Sequence, residues 1–93
     1  MRTTIARAVL HKREDRNNEY RELLVYKFLD RSIFAIWHVI GFADNPDVMR
    51  RSETYGDTNR ERTVRVFHDE VARLKQEGFT LVEVHPELPQ AAG

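Results

Sequence analysis

The segment that most constrains the fold runs from Ile33 to Phe42, because it is apolar at both of its alternating sets of positions. Its only polar side chain is His38. A β-strand of this kind is typical of a sheet interior that is covered on both faces. Ten residues are too few to cross ~30 Å of hydrocarbon. We therefore expect an interior strand with these two faces: Ile33, Ala35, Trp37 and Val39 against Phe34, Ile36, Ile40 and Phe42.

Three further segments have the composition and alternation of β-strands. They are Thr3–Lys12, Glu19–Leu29 and Phe79–His85, and a wholly polar loop separates the first two. The second strand is apolar on both faces: Tyr20, Leu24, Tyr26 and Phe28 lie on one side, and Leu23, Val25 and Leu29 on the other. Prolines at positions 86 and 89 interrupt pairing, so we expect one domain over residues 1–85 and a flexible tail over 86–93.

The segment after Phe42 has two interpretations. Asn45 could cap a short helix that has Pro46 at its first position. Alternatively, residues 43–47 form a hairpin loop and Val48 to Tyr55 form a fourth strand. We favour the strand, since the apolar strand before it needs a neighbour on each side.

A helix is indicated after Thr58. Thr58 and Glu61 have the spacing of a capping box, in which the two side chains satisfy two free backbone amides. Apolar residues follow at spacings of three and four, and Gly78 can take the left-handed conformation that ends a helix. The apolar stripe consists of Val64, Phe67, Val71 and Leu74.

These elements predict an α+β fold: an antiparallel sheet of three to four strands, followed by one amphipathic helix packed on one face, and a final strand. One helix covers one face, whereas the second strand is apolar on both. We therefore expect the uncovered face to bind a protein partner, with a homodimer as the natural form.

Composition removes several classes of function. The 93 residues contain no cysteine, which excludes disulfides, cysteine-ligated zinc and thiol catalysis. The four histidines have no metal-binding spacing, and no nucleotide-binding or nucleophile motif is present. We expect a cytoplasmic protein that is not an enzyme and has no cofactor. A pocket beside His38 that binds a small ligand is a less favoured hypothesis.

Charge is segregated along the chain although the net charge is zero. Residues 1–18 carry five basic and two acidic groups, and residues 50–65 carry five and three. The two remaining segments are acidic. Arginine is suited to phosphate and carboxylate recognition, and a helix N-terminus favours anions.

One family resembles part of this sequence, over roughly Tyr20 to Val84. Trp37 to Gly41 aligns with the Trp-Gly-Arg-x-Gly motif of the WGR domain, a small module of poly(ADP-ribose) polymerases and many bacterial proteins. Glu77 to Val84 is similar to the family's exit from its helix. The resemblance implies contact with DNA ends through Trp37, while His38 and Val39 replace the family's glycine and arginine.

Two functions therefore follow from the sequence. The preferred one is a non-enzymatic protein-interaction module that uses an apolar sheet face and charged patches, with no membrane role. The alternative is a nucleic-acid or phosphate-binding module, in which arginines contact phosphates and an aromatic ring stacks on a base. The candidate binding residues are Trp37, Arg50, Arg51, Tyr55, Arg60, Arg62 and Arg65.

Overall fold

A computed structural model describes residues 2–15 and 17–85 of the chain. The predicted α+β fold is confirmed, but the sheet has five strands rather than three to four, because the strand after the helix joins the same sheet. The predicted tail, residues 86–93, lies outside the described residues. The elements are β1 (Arg2–Glu14), β2 (Asn17–Phe28), β3 (Ile33–Phe42), β4 (Asn45–Asp57), α1 (Arg60–Gln76) and β5 (Thr80–His85).

The strand order is β4-β3-β2-β1-β5, and every pair of neighbours is antiparallel. β2 is the central strand and β3 lies between β2 and β4, so the segment that is apolar on both faces is an interior strand as predicted. Directly paired residues share a face, and Leu23 of β2 therefore lies beside Ala8 and His38.

The segment after Phe42 is a strand, not a helix. β4 pairs with β3 from Asn45 opposite Phe42 to Asp57 opposite Phe34. Asn45 therefore takes part in the sheet and caps no helix. The physical reason is that β3 would otherwise leave a row of backbone amides and carbonyls unpaired along an apolar strand.

The helix begins one residue later than the capping-box pattern predicts. Asn59, not Thr58, is the N-cap, and its side-chain oxygen accepts a 2.8 Å hydrogen bond from the Arg62 backbone amide. Thr63 is fully buried. Its burial is tolerated because its hydroxyl donates a 2.8 Å hydrogen bond to the Asn59 carbonyl. Val64, which the apolar stripe included, is only half-buried.

The end of the helix agrees with the sequence. Gly78 has a φ of 101°, and the backbone amide of Phe79 donates to the Leu74 carbonyl at 3.0 Å. Phe79 joins Leu74 in the core. Arg73 forms its ion pairs with Glu70, at 2.8 Å, and with Glu77.

The main core lies between α1 and one face of the sheet, which we call the helix side. The Cα positions span 43 × 37 × 17 Å, and the short dimension corresponds to one sheet and one helix. Among the described residues, no helix is both long and apolar enough to cross a membrane. The buried core residues are Ala6, Ala8, Leu10, Leu23, Val25, Ile36, Phe67, Val71, Leu74 and Phe79.

Candidate interaction face

The sheet face opposite α1, which we call the open face, carries a second apolar cluster. The alternation along β2 and β3 produces it, because every second side chain points away from the helix. In the described part of the chain, no helix lies over this face. The cluster has Leu24, Tyr26 and Val39 at its centre, with Tyr20, Phe28, Trp37 and Met49 packed around them.

The centre of the open face is shielded by neighbouring side chains of the same sheet. Val39 is 2% exposed and Tyr26 is 7% exposed, while Trp37 is half-buried. The Arg2 guanidinium stacks on the Tyr26 ring, 4.3 Å from its centroid. An approaching molecule therefore meets aromatic rings, a methionine and arginines, which are the side chains enriched in protein interfaces.

The indole nitrogen of Trp37 is buried although the side chain as a whole is only half-buried. This atom, Nε1, has no hydrogen-bond acceptor among the described residues. A buried donor without an acceptor costs ~1–3 kcal/mol.

The ion pairs of the open face join segments of opposite charge. Arg7 of the basic first segment binds Glu22, and its Nη1 lies 3.2 Å from Oε1 of Glu83. The hydrogen bond to Glu22 is the main reason that the pKa of Arg7 is raised. Tyr20 donates to Glu22 at 3.1 Å, and burial, followed by the Glu22 charge, raises the pKa of its phenol. Glu22 is on the central strand, so this ion pair lies in the middle of the open face, between Tyr20 and Leu24.

The predicted arginine cluster is divided by the structure. Arg50 pairs with Ile40 on the helix side, whereas Arg51 pairs with Val39 on the open face. Arg60 and Arg65 are exposed on α1. Of the seven candidate residues, Trp37 and Arg51 lie together on the open face.

Tyr55 and Arg62 belong to a different cluster, around Asp57. Arg62 binds Asp57 with two nitrogens, at 2.5 and 2.8 Å, and the Tyr55 hydroxyl donates to the same carboxylate at 2.6 Å. The Asn59 backbone amide adds a third donor. These hydrogen bonds, that of Arg62 first, hold the pKa of Asp57 well below its usual range. The cluster attaches the start of α1 to the end of β4.

His38 lies on the helix side, where it is 8% exposed, and its Nε2 has no hydrogen-bond partner among the described residues. Burial lowers the pKa of His38 below 6.5, and so do the charges of Arg21 on β2 and Arg73 on α1, while Glu70 on α1 opposes them. The folded chain therefore favours the neutral form of His38.

This histidine predicts an acid-sensitive fold. Because the pKa of His38 is lower in the folded chain than in the unfolded chain, the fold is most stable above pH 6.5. As the pH falls below that value, the unfolded chain takes up the proton first, and the free energy of unfolding decreases. Urea unfolding at pH 8 and pH 5 measures the effect. The His38→Leu variant is expected to lose less stability between these pH values, and an unchanged loss would contradict the assignment. The other three histidines are present in both the wild type and the variant, so their contributions to the pH dependence cancel in the comparison.

An open depression of about 570 Å³ lies at the β3–β4 hairpin, away from His38. Its wall is mostly apolar, with Asp47 and Arg50 as the charged groups. Among the described residues, no group of three histidine, aspartate or glutamate side chains is placed to hold a metal ion.

The sequence predicted the apolar side chains of the open face, but of its charged side chains only Arg51 was among the candidate binding residues. The alternation of Tyr20, Leu24, Tyr26 and Phe28 was sufficient to place them together. The position of Glu83 against Arg7 depends on pairing between β1 and β5, and no local pattern indicates it.

Comparison with known proteins identified no relative: no family model, curated protein or solved structure matches the chain. The resemblance to the WGR domain therefore stays a prediction.

Proposed function

We propose that the chain is a non-enzymatic protein-interaction module whose binding surface is the open face. The observation that carries this proposal is the position of α1, which packs on the helix side, while no helix among the described residues lies over the aromatic and apolar cluster of the open face. The types of side chain around Trp37 match those of protein interfaces.

Nucleic-acid or phosphate binding is the alternative function. It needs several arginines directed at one backbone, since each neutralised phosphate adds to affinity and to its salt dependence. Arg50 and Arg51 lie on opposite faces, and Arg62 is held by Asp57. The distribution of these side chains supports a protein partner over a nucleic acid.

Site-specific photocrosslinking tests the proposal with a matched pair of phenylalanines. Phe28 lies on the open face, and Phe42 is 41% exposed on the helix side. A photoreactive benzoylphenylalanine at position 28 is expected to crosslink to protein in cells, and the same residue at position 42 is not. Equal crosslinking at both positions, or none at position 28, would contradict an interaction through the open face.

Titration with nucleic acid separates the two functions. Trp37 is the chain's single tryptophan and reports directly on the open face. We expect its fluorescence to stay constant when single- and double-stranded DNA or RNA is added at low salt. Saturable, salt-dependent quenching would favour the alternative function.

A further inference from the structure

We propose that the partner of the open face is a second copy of this chain, packed face to face about a two-fold axis along β2. This inference rests on the proposed function, because it names the occupant of the same surface. It is carried by the strand register, the form of the sheet edges and the dimensions of the face.

Two rows of side chains cross the open face through all five strands. The two ends of each row carry side chains that can pair with one another. One row has an arginine on β4 and a glutamate on β5, and the other row has a glutamate on β4 and a histidine on β5. The first row is Arg51, Val39, Glu22, Val9 and Glu83, and the second is Glu53, Trp37, Leu24, Arg7 and His85.

A two-fold axis along β2 makes these rows complementary to themselves. The rotation reverses the strand order, so that β4 of one copy lies over β5 of the other. Arg51 then faces Glu83 of the partner subunit, and Glu53 faces His85 of the partner subunit. The Arg51–Glu83 contact occurs twice in the dimer, once at each edge, and these opposite charges favour this register over displaced ones.

The centre of the second row also matches under the same rotation, because Leu24 lies on the axis and meets Leu24 of the partner subunit. Glu22 of the first row lies on the axis as well, and the ion pair with Arg7 of its own chain offsets its charge there. Trp37 faces Arg7 of the partner subunit, and an arginine over an indole ring is a favourable contact. The axis therefore holds an apolar contact beside two intrachain ion pairs, and the charged contacts between the copies lie at the rim.

The edges of the sheet are less suited to association than its face. β4 pairs with β3 through two register shifts, and β5 has six residues and one register shift against β1. Bulged and short edge strands resist the addition of a further strand. These features favour association through the open face over the addition of a strand at β4 or β5.

The size and shape of the open face meet the needs of a dimer. The broad side of the molecule spans 43 × 37 Å, whereas a stable interface requires about 800 Å² from each partner. A second copy has the same strand twist, and two twisted sheets pack face to face with their strands nearly aligned.

Charge exchange tests the axis. Sedimentation of the full chain over a range of concentrations is expected to show a monomer–dimer equilibrium. Arg51→Glu and Glu83→Arg should each raise the dissociation constant by about tenfold, because each creates two like-charge contacts. The double variant restores both contacts and should return close to the wild-type value. Arg65→Glu, an identical charge change on exposed α1, is the control and should have no effect.

The possible outcomes separate this inference from the proposed function. A chain that stays monomeric at every concentration overturns the dimer, and crosslinking of position 28 to another protein would then leave the proposed function intact. A dimer that the double variant does not restore overturns the axis along β2. Thermal unfolding of each variant, measured in parallel, distinguishes a failure to dimerise from a failure to fold.

Discussion

Replacing Phe67 with alanine is expected to lower the free energy of unfolding by about 3–5 kcal/mol. Phe67 is 1% exposed and contributes a fully buried ring to the main core between α1 and the sheet. A chain of this length has a total stability of roughly 5–14 kcal/mol. The substitution therefore removes a large part of it, and urea unfolding followed by circular dichroism measures the loss.

Phe42→Ala is the matched control for this prediction. The same atoms are removed, but Phe42 is 41% exposed and lies outside the main core. We expect a loss below about 1 kcal/mol, in the range of ordinary surface substitutions. Equal losses for the two variants would show that α1 does not form the principal core with the sheet.

Trp37→Ala is expected to raise the dissociation constant of the proposed dimer about a thousandfold. Central aromatic residues of an interface contribute about 2 kcal/mol or more each, and a two-fold dimer loses two of them. Alanine has no ring to pack against Arg7 of the partner subunit. Sedimentation at a temperature where the variant is folded measures the change.

Leu29→Ala serves as the control, because Leu29 is 54% exposed and lies beyond the end of β2. It removes an exposed apolar side chain without touching the open face, and we expect no change in association. Trp37→Phe keeps a ring and should weaken the dimer less than Trp37→Ala. If alanine at position 37 leaves association unchanged, the open face is not the interface.

Much of the fold was predictable because its signals are local. The alternation of β2 assigned Leu23 and Val25 to one face and Leu24 and Tyr26 to the other. In the structure the first pair lies in the main core and the second pair in the cluster of the open face. The spacing of Phe67, Val71 and Leu74 likewise identified the buried stripe of α1.

The errors occurred where two local signals competed. Thr58 and Asn59 are both good N-cap residues. Asn59 is the N-cap in the structure because Asp57 accepts a hydrogen bond from the Asn59 backbone amide and binds Arg62 in the first turn of α1. That arrangement depends on where β4 ends. The strand count was too low because the place of β5 depends on β1, about seventy residues earlier in the chain.

The candidate site was predictable only in part. Trp37 was assigned from the resemblance to the WGR domain and as an aromatic ring that can stack on a base, and the structure places it on the open face with Arg51. Arg50 and Arg62 were grouped with them because they are near in sequence. Neighbouring strand residues point to opposite faces, and an ion pair redirects a side chain, so proximity in sequence did not become proximity in space.

The sequence by itself determined which side chains share a strand face or a helix stripe, because the periods of two and 3.6 residues are properties of the local backbone. Only the tertiary structure decided which strands are neighbours and in what register. Those choices bring Arg7 to Glu83 and align the two rows that cross the open face. They depend on long-range pairing, in which each strand is positioned by residues distant in the chain, and no local pattern contains that information.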